Sequence, residues 1–411
     1  MAIRNIVCDK RGLLWEAQVT TLTTSTMPAP HLYSQMFTQM RQWITPTDQR
    51  HLQGYAEAVS AILQSESGCP SHWLPYLSHR SCNARSHLER LQYLLQNPAI
   101  TAAQYYEPLV KQLLKAWRGQ SMRLVLDTSM LWDRYCLIEV CLAWGGRSIV
   151  LAQSLLEHGS ATVGFEDYRP VLETALGILP NDVTVLFLAD RGFEHGELMR
   201  WLTGHQWNWA IRAKSDLLVT LNNGVQQNVS QLLPQSGQVH LYPQVQVIGD
   251  VDCHLATAHW SEAQESWAVL TNQPPSLQTF ACYGQRFGGI EPHFKDYKSA
   301  TFEITRSHIR NVEALNCLLM LIATAQLIAI QIGFSHTYLK SLSRIDWHGQ
   351  RGISFLQLGL RELKRMIYLG LNIPPFQALP YYNPPPASAS QKKRVELAHR
   401  VEFSRVTVFT F

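Results

Sequence analysis

Three acidic residues stand where their neighbours could make them ligands for a divalent cation. Asp127 follows the apolar run LVL, and Asp190 follows VLFLA. Each reads as the residue that ends a β-strand, which puts both carboxylates at one edge of a sheet if the strands are neighbours. Two hard carboxylate oxygens meeting there suit Mg²⁺ or Mn²⁺, and a third carboxylate would complete a site for two divalent ions of the kind used in phosphoryl transfer. The third candidate is Glu291, in YGQRFGGIEPHFKDYKS, together with Tyr283, Arg286 and Lys298. On a continuous helix, residues three, four and seven apart share a face. Tyr283 with Arg286, and Glu291 with Lys298, are therefore spaced for a phosphate clamp beside a metal ligand. The plainer readings are strand-end aspartates that cap turns and an amphipathic surface helix.

Other cations fall where phosphates could be held. In IRAKS, Arg212 and Lys214 alternate, which places both on one side of a strand just beyond the segment that follows Asp190. Near the C-terminal end, LRELKRMIYL gathers Arg361, Lys364 and Arg365, and Lys392 to Arg394 form a KKR cluster; these read as nonspecific phosphate contacts or as solubilising charge. The eight cysteines form no CxxC pair and no zinc-spaced cluster with histidine, so they read as small buried apolar groups in a reducing compartment.

The elements that must position these groups change in texture along the chain. Residues 1–35 carry no clear period and are expected to be poorly ordered. Residues 36–120 place apolar side chains three and four apart in several runs, which predicts a helical N-terminal module, expected to bind DNA. From Arg123 the runs RLVLDTS, RYCLIEVCLAWGG and RSIVLAQSLLE predict three consecutive antiparallel strands. A helix over 165–179, the strand VTVLFLAD, a second helix and the strand WNWAIRAKS follow. The order β-β-β-α-β-α-β is that of a mixed α/β sheet. Residues 216–266 alternate with a period of two and form a β-rich insertion, within a unit spanning 121–335. The segment from about Ser276 to Ser299 reads as helical. A C-terminal helical region (336–370) and a Pro-rich, basic tail (371–411), extended or disordered, close the chain.

With 411 residues, 46% apolar and 10% aromatic, the chain has ample material for a buried core. Charge is unevenly spread: residues 1–120 carry a net +4, residues 121–300 a net −7 and residues 301–411 a net +7. Basic flanks around an acidic middle fit a protein that holds phosphates while its carboxylates hold cations. The apolar run Leu315 to Ile332 contains Asn316, Thr324, Gln326 and Gln331, so it is expected to be a core helix and not a membrane span. No secretion signal is evident at the N-terminus.

The segment from Tyr283 to Lys298 resembles the Tyr-Arg-Glu-Lys signature of DDE transposases from bacterial insertion sequences, the cut-and-paste family. Asp127-Thr128 and the DRGF of Asp190 to Phe193 resemble that family's first two acidic motifs, and the likeness spans residues 80–335. The resemblance implies an RNase H-like fold, two Mg²⁺ or Mn²⁺ ions on Asp127, Asp190 and Glu291, and cleavage of transposon-end DNA followed by strand transfer. It further implies double-stranded DNA as partner, a homodimer when assembled on DNA, and a cytoplasmic, nucleoid-associated protein. Trp267, in WAVLTNQ, stands where family members present a tryptophan that stacks on a flipped base. One departure is the extra residue between Arg286 and Glu291, in Gly288-Gly289, which on an unbroken helix would rotate Glu291 by about 100°. A late helix start or a bulge at glycine would absorb it. A nuclease that cuts without joining, and an inactive DNA-binding derivative of a transposase, remain open alternatives.

Overall fold

The computed structural model describes residues 32–77, 82–261, 265–286, 289–338, 342–348, 350–388 and 403–409. Residues 1–31, and the Lys392 to Arg394 cluster, lie outside the described residues. The chain opens with a helical module of α1 (Leu32–Met40), α2 (Gln49–Ser65), α3 (Ala84–Gln96), α4 (Ala102–Tyr105) and α5 (Glu107–Leu113). The sequence marks two of these starts: the side chains of Asp48 and Asn83 accept hydrogen bonds from the amides of Arg50 and Ser86 and so cap α2 and α3.

A mixed sheet follows in the expected order. β1 (Ser121–Leu131), β2 (Tyr135–Trp144) and β3 (Arg147–Glu157) form an antiparallel meander, then come α6 (Phe165–Ile178), β4 (Thr184–Ala189), α7 (Gly196–Gly204) and β5 (Asn208–Arg212). Spatially the strands run β3-β2-β1-β4-β5, with β4 parallel to β1 and β5 parallel to β4. This is the RNase H-like arrangement that the resemblance implied. All ten residues of β2 are buried, as befits a strand covered on both faces.

The β-rich segment extends the same sheet. β6 (Leu218–Thr220), β7 (Gln226–Asn228), α8 (Val229–Leu232), β8 (Gln238–Val247) and β9 (Val251–His259) lead into β10 (Trp267–Thr271), which pairs antiparallel with both β5 and β9. The chain then forms α9 (Leu277–Gly284), α10 (Ile290–Lys295) and a π-helical turn at Asp296–Ala300. The helical reading of 276–299 therefore divides in two at the glycine step.

α11 (Val312–Tyr338) is the core helix, and α12 (Phe355–Tyr368) packs along it. Its stretch Val312–Ser335 is long and apolar enough to cross a membrane, yet its most apolar part is buried inside the protein, and the helix packs against α2, α3 and β3. Thr324 and Gln326 find buried partners there in Tyr55 and His293. α11 and α12 approach so closely that a Cβ at Gly359 would overlap the carbonyl of Ala329.

The Pro-rich tail is extended, but it is a packed strap and not a disordered one over its described part. Trp144 Nε1 donates to the carbonyl of Tyr382 at 3.0 Å, and the Gly145 amide donates to Asn383 Oδ1 at 2.7 Å. A final strand, β11 (Arg405–Val408), pairs parallel with Gln238–Leu241 of β8, and Phe409 stacks on Tyr242 at 4.7 Å.

Candidate functional site

Asp127 and Asp190 meet because of strand register. The parallel pairing of β1 with β4 matches Leu126 with Ala189, so the two aspartates are the next residues on neighbouring strands, about 5 Å apart along the hydrogen-bonding direction. Asp190 does follow the last residue of its strand. Asp127 does not: β1 runs on to Leu131, because Asp127 is still paired with Glu139 across the hairpin. The apolar run ends at Asp127 because the partner on one side ends there, although the strand continues on the other.

Both carboxylates also serve the backbone. Asp127 Oδ1 accepts from the Thr128 amide at 2.9 Å, and Asp190 Oδ1 accepts from the Arg191 amide at 2.8 Å, capping the turn Arg191–Phe193. Their other oxygens face one cation. Arg286 Nη2 lies 2.8 Å from Asp127 Oδ2 and 3.9 Å from Asp190 Oδ2, with the Arg286 side chain only 4% exposed. Burial pushes the Asp127 carboxyl up to about 6, against the pull of the Arg286 guanidinium and with the help of the Asp190 charge. Burial is the largest single influence on Arg286 and works against its charge, but Asp127, Tyr283, Asp190 and Glu291 together outweigh it and hold this pKa above the ordinary value. A guanidinium thus neutralises the position where two carboxylates converge, which is what hard oxygens placed for a divalent cation require in its absence.

Glu291 is less closely drawn in. It is exposed, in the first turn of α10, and its field reaches Arg286 only as a minor contribution. Among the described residues, its oxygens do not form with Asp127 and Asp190 a group whose ligand atoms all lie within 4.8 Å. The helix break explains this. α9 ends at Gly284, α10 starts at Ile290, and Gly289 adopts φ −121° and ψ −58° before it. The extra residue is absorbed by a late helix start, and the rotation of α10 is no longer dictated by that of α9. Gly289 itself is confined, since a Cβ there would stand 3.1 Å from Ser148 Oγ and 3.2 Å from the Arg147 carbonyl.

Comparison with known proteins bears on this site directly. Residues 142–328 match the family described as the transposase DDE domain. That span is similar to a transposase DDE domain. The matched span contains Asp190, Arg286 and Glu291, while Asp127 lies just upstream of it. Among solved structures, a cryo-EM structure of a piggyBac transposase synaptic complex with hairpin DNA is similar at a TM-score of 0.41 and 11% identity, over 90% of this chain and 80% of that one. No curated protein matches.

The remaining candidates are placed unevenly. Tyr283 is fully buried and its ring meets Trp267 edge-on at 5.5 Å, close enough to the site for Arg286, Asp190, Arg212 and Asp127 to act on its hydroxyl. Trp267 is half-buried and packs edge-on against Trp260 as well, at 4.6 Å, which is the buried-strand reading of that residue; its exposed part alone is open to a base. Arg212 ends β5 in an ion pair with Glu265 at 2.6 Å. Lys214 lies past the strand end and is exposed, and its amide donates to the buried carboxylate of Glu194, which ties it to the turn after Asp190. Lys298 does not share a regular helix with Glu291, because the π-helical turn intervenes. Burial lowers its pKa, and Asp133, at the tip of the β1–β2 hairpin, opposes that shift. Of the C-terminal cations, Lys364 pairs with Glu66 at 2.7 Å and Arg365 with Glu362 at 2.6 Å.

Two residues beneath the site, Glu139 and His293, escaped notice in the sequence. Glu139, fully buried in β2, accepts at 2.7 Å from His293 Nε2 of α10, and His293 Nδ1 meets Gln326 Nε2 of α11 at 3.0 Å. The signal was there: a lone acid inside YCLIEVCLAW must have a partner, since a carboxylate is rarely buried alone. Cys141 Sγ joins Glu139 and His293 in a group with ligand atoms within 4.8 Å of one another, but both imidazole nitrogens already have hydrogen-bond partners.

Proposed function

We propose that this chain is a transposase that cleaves DNA at transposon ends and joins the freed 3′ ends to target DNA, as a homodimer assembled on DNA. The observation that carries the reading is the convergence of Asp127 and Asp190 on Arg286 at the edge of the sheet, beside and within the span similar to a transposase DDE domain. In this reading Asp127, Asp190 and Glu291 supply the oxygens for two Mg²⁺ or Mn²⁺ ions. Such ions, when bound, make water a better nucleophile and offset charge on the attacking and leaving oxygens. Arg286, Tyr283 and Lys298 orient the terminal phosphates, with Arg212 and Lys214 on the flanking backbone and Trp267 beside an unpaired base. In the cleavage step a water oxygen bonds to phosphorus as the P–O3′ bond breaks. In the joining step the freed 3′ oxygen bonds to a target phosphorus and a target 3′ oxygen leaves.

Asp127→Asn and Glu291→Gln are expected to abolish metal-dependent cleavage of transposon-end DNA, while gel-shift binding of the same DNA stays close to wild type. Unchanged cleavage in either variant removes the proposed site. A strand-transfer assay distinguishes a transposase from a nuclease, since only the former yields end-joined product. The position of Glu291, apart from the two aspartates, favours one second reading: a DNA-binding derivative that has lost cleavage. That reading predicts DNA binding with no cleavage in the wild-type chain at any Mn²⁺ concentration.

A further inference from the structure

The break between α9 and α10 raises a question of positioning. In an unbroken helix the position of Arg286 would fix the direction of Glu291; here Tyr283 belongs to the end of one helix, Arg286 to the turn that follows it and Glu291 to the start of another. α10 is only six residues long, Ile290–Lys295, and cannot hold its own rotation by length. Ile290 and Phe294 bury against the core, but apolar contact is non-directional and tolerates turning. Hydrogen bonds do not tolerate it.

Among the described residues, the side-chain hydrogen bonds made from within α10 are those of His293, while its C-cap Asp296 accepts from Arg147 Nε at 2.8 Å. Gln326 Nε2 donates to His293 Nδ1, which leaves Nε2 as the N–H that donates to Glu139 Oε2. Glu139 and His293 are completely buried and Gln326 nearly so, a setting in which such bonds are costly to break. Glu139 is also the residue paired with Asp127 across β1 and β2. His293 lies two residues beyond Glu291, about 200° around the helix, so an inward His293 sets Glu291 outward at the rim. One chain of contacts thus links the strand position of Asp127 to the helix position of Glu291.

We propose that Glu139, His293 and Gln326 are positioning residues that fix the rotation of α10 and so keep Glu291 turned to the rim beside the metal site of Asp127 and Asp190. The proposal rests on the reading of those three acids as that site. The test is Mn²⁺ binding to the full chain without DNA, measured by electron paramagnetic resonance in a mutant cycle. Glu291→Gln is expected to weaken Mn²⁺ binding about tenfold, and the paired substitution Glu139→Leu with His293→Phe, which replaces both polar groups by apolar ones of similar size, to do the same. With all three substitutions no further loss is expected, because Glu291 is then already turned away from the rim of the site. Glu139→Gln keeps an acceptor for the imidazole N–H and is expected to bind Mn²⁺ within about twofold of wild type, a rescue that bulk and burial alone do not distinguish from the apolar pair.

A full Glu291→Gln effect persisting on top of the paired substitution overturns the positioning role. Should the paired variant fail to fold by thermal melt, Gln326→Leu carries the same cycle, with a loss of the Glu291→Gln effect again expected and its persistence again decisive. If Asp127→Asn and Glu291→Gln leave Mn²⁺ binding of the otherwise native chain unchanged, the metal-site reading itself falls, and the positioning role with it.

Discussion

Asp127 is ionised in the folded protein only against the cost of its burial. Its carboxyl titrates at about 6, above the ordinary value of 3.8, so the folded chain holds this proton more tightly than the unfolded chain does. By linkage, the stabilising share of this group is present in full below about pH 4 and is lost as pH rises to about 6, at most about 3 kcal/mol. Denaturant unfolding without metal is expected to show wild type losing stability relative to Asp127→Asn across that window, and a constant difference there contradicts the assignment. Mn²⁺, which competes with the same proton, is expected to bind more tightly as pH rises through 6. Arg286 has the complementary role. Its removal leaves two converging carboxylates without a cation, so Arg286→Gln is expected to destabilise the metal-free protein by about 3 kcal/mol. Millimolar Mn²⁺ should then raise the melting temperature of the variant more than that of wild type; an equal rise in both contradicts a shared position for guanidinium and metal. The types of these residues were legible in the sequence, but their meeting was not. The 2.8 Å contact of Arg286 with Asp127 joins residues far apart in the chain, and no local period encodes it.

At the scale of elements, α10 decides the site. The sequence marked the extra glycine and left two ways to absorb it, a late helix start or a bulge; in the structure α9 ends at Gly284 and α10 starts at Ile290. It did not mark what α10 rests on. Gly289 packs onto the start of β3, so Gly289→Val is expected to push α10 away from Arg147 and Ser148, at a cost of about 1–3 kcal/mol. A thermal melt reads the stability loss, and weaker Mn²⁺ binding in the still-folded variant reads the displacement of Glu291. Wild-type values for both would mean that α10 is not held at Gly289. The strands were easier to read, since three apolar runs bounded by turns could form only a meander. The end of β1 was misjudged because a strand at the middle of a sheet has two partners, and they do not stop at the same residue.

On the scale of the whole molecule, the chain closes on itself at its C-terminal end. The segment that composition describes as an extended or disordered Pro-rich tail is held to the end of β2 and the turn after it by Trp144 and Gly145, and its last strand adds to β8. Deleting residues 403–411 would uncover the backbone of Gln238–Leu241 and the ring of Tyr242. Hydrogen exchange is expected to accelerate at those β8 amides, with β1 to β5 keeping their protection; unchanged exchange in β8 would show that β11 contributes nothing to it.

By itself the sequence determined the elements and the chemistry they carry: a meander, two further parallel strands, a β-rich insertion, a buried apolar helix, and acids and cations of the types that handle phosphate. Those features follow from local periodicity and residue type, which neighbours in the chain express directly. Only the tertiary structure decided that register brings Asp127 and Asp190 together, that Arg286 lies between them, and that Glu291 stands apart on a helix anchored by Glu139 and His293. The physical reason is that strand register and helix rotation are set by packing across the core, between residues the chain itself keeps far apart.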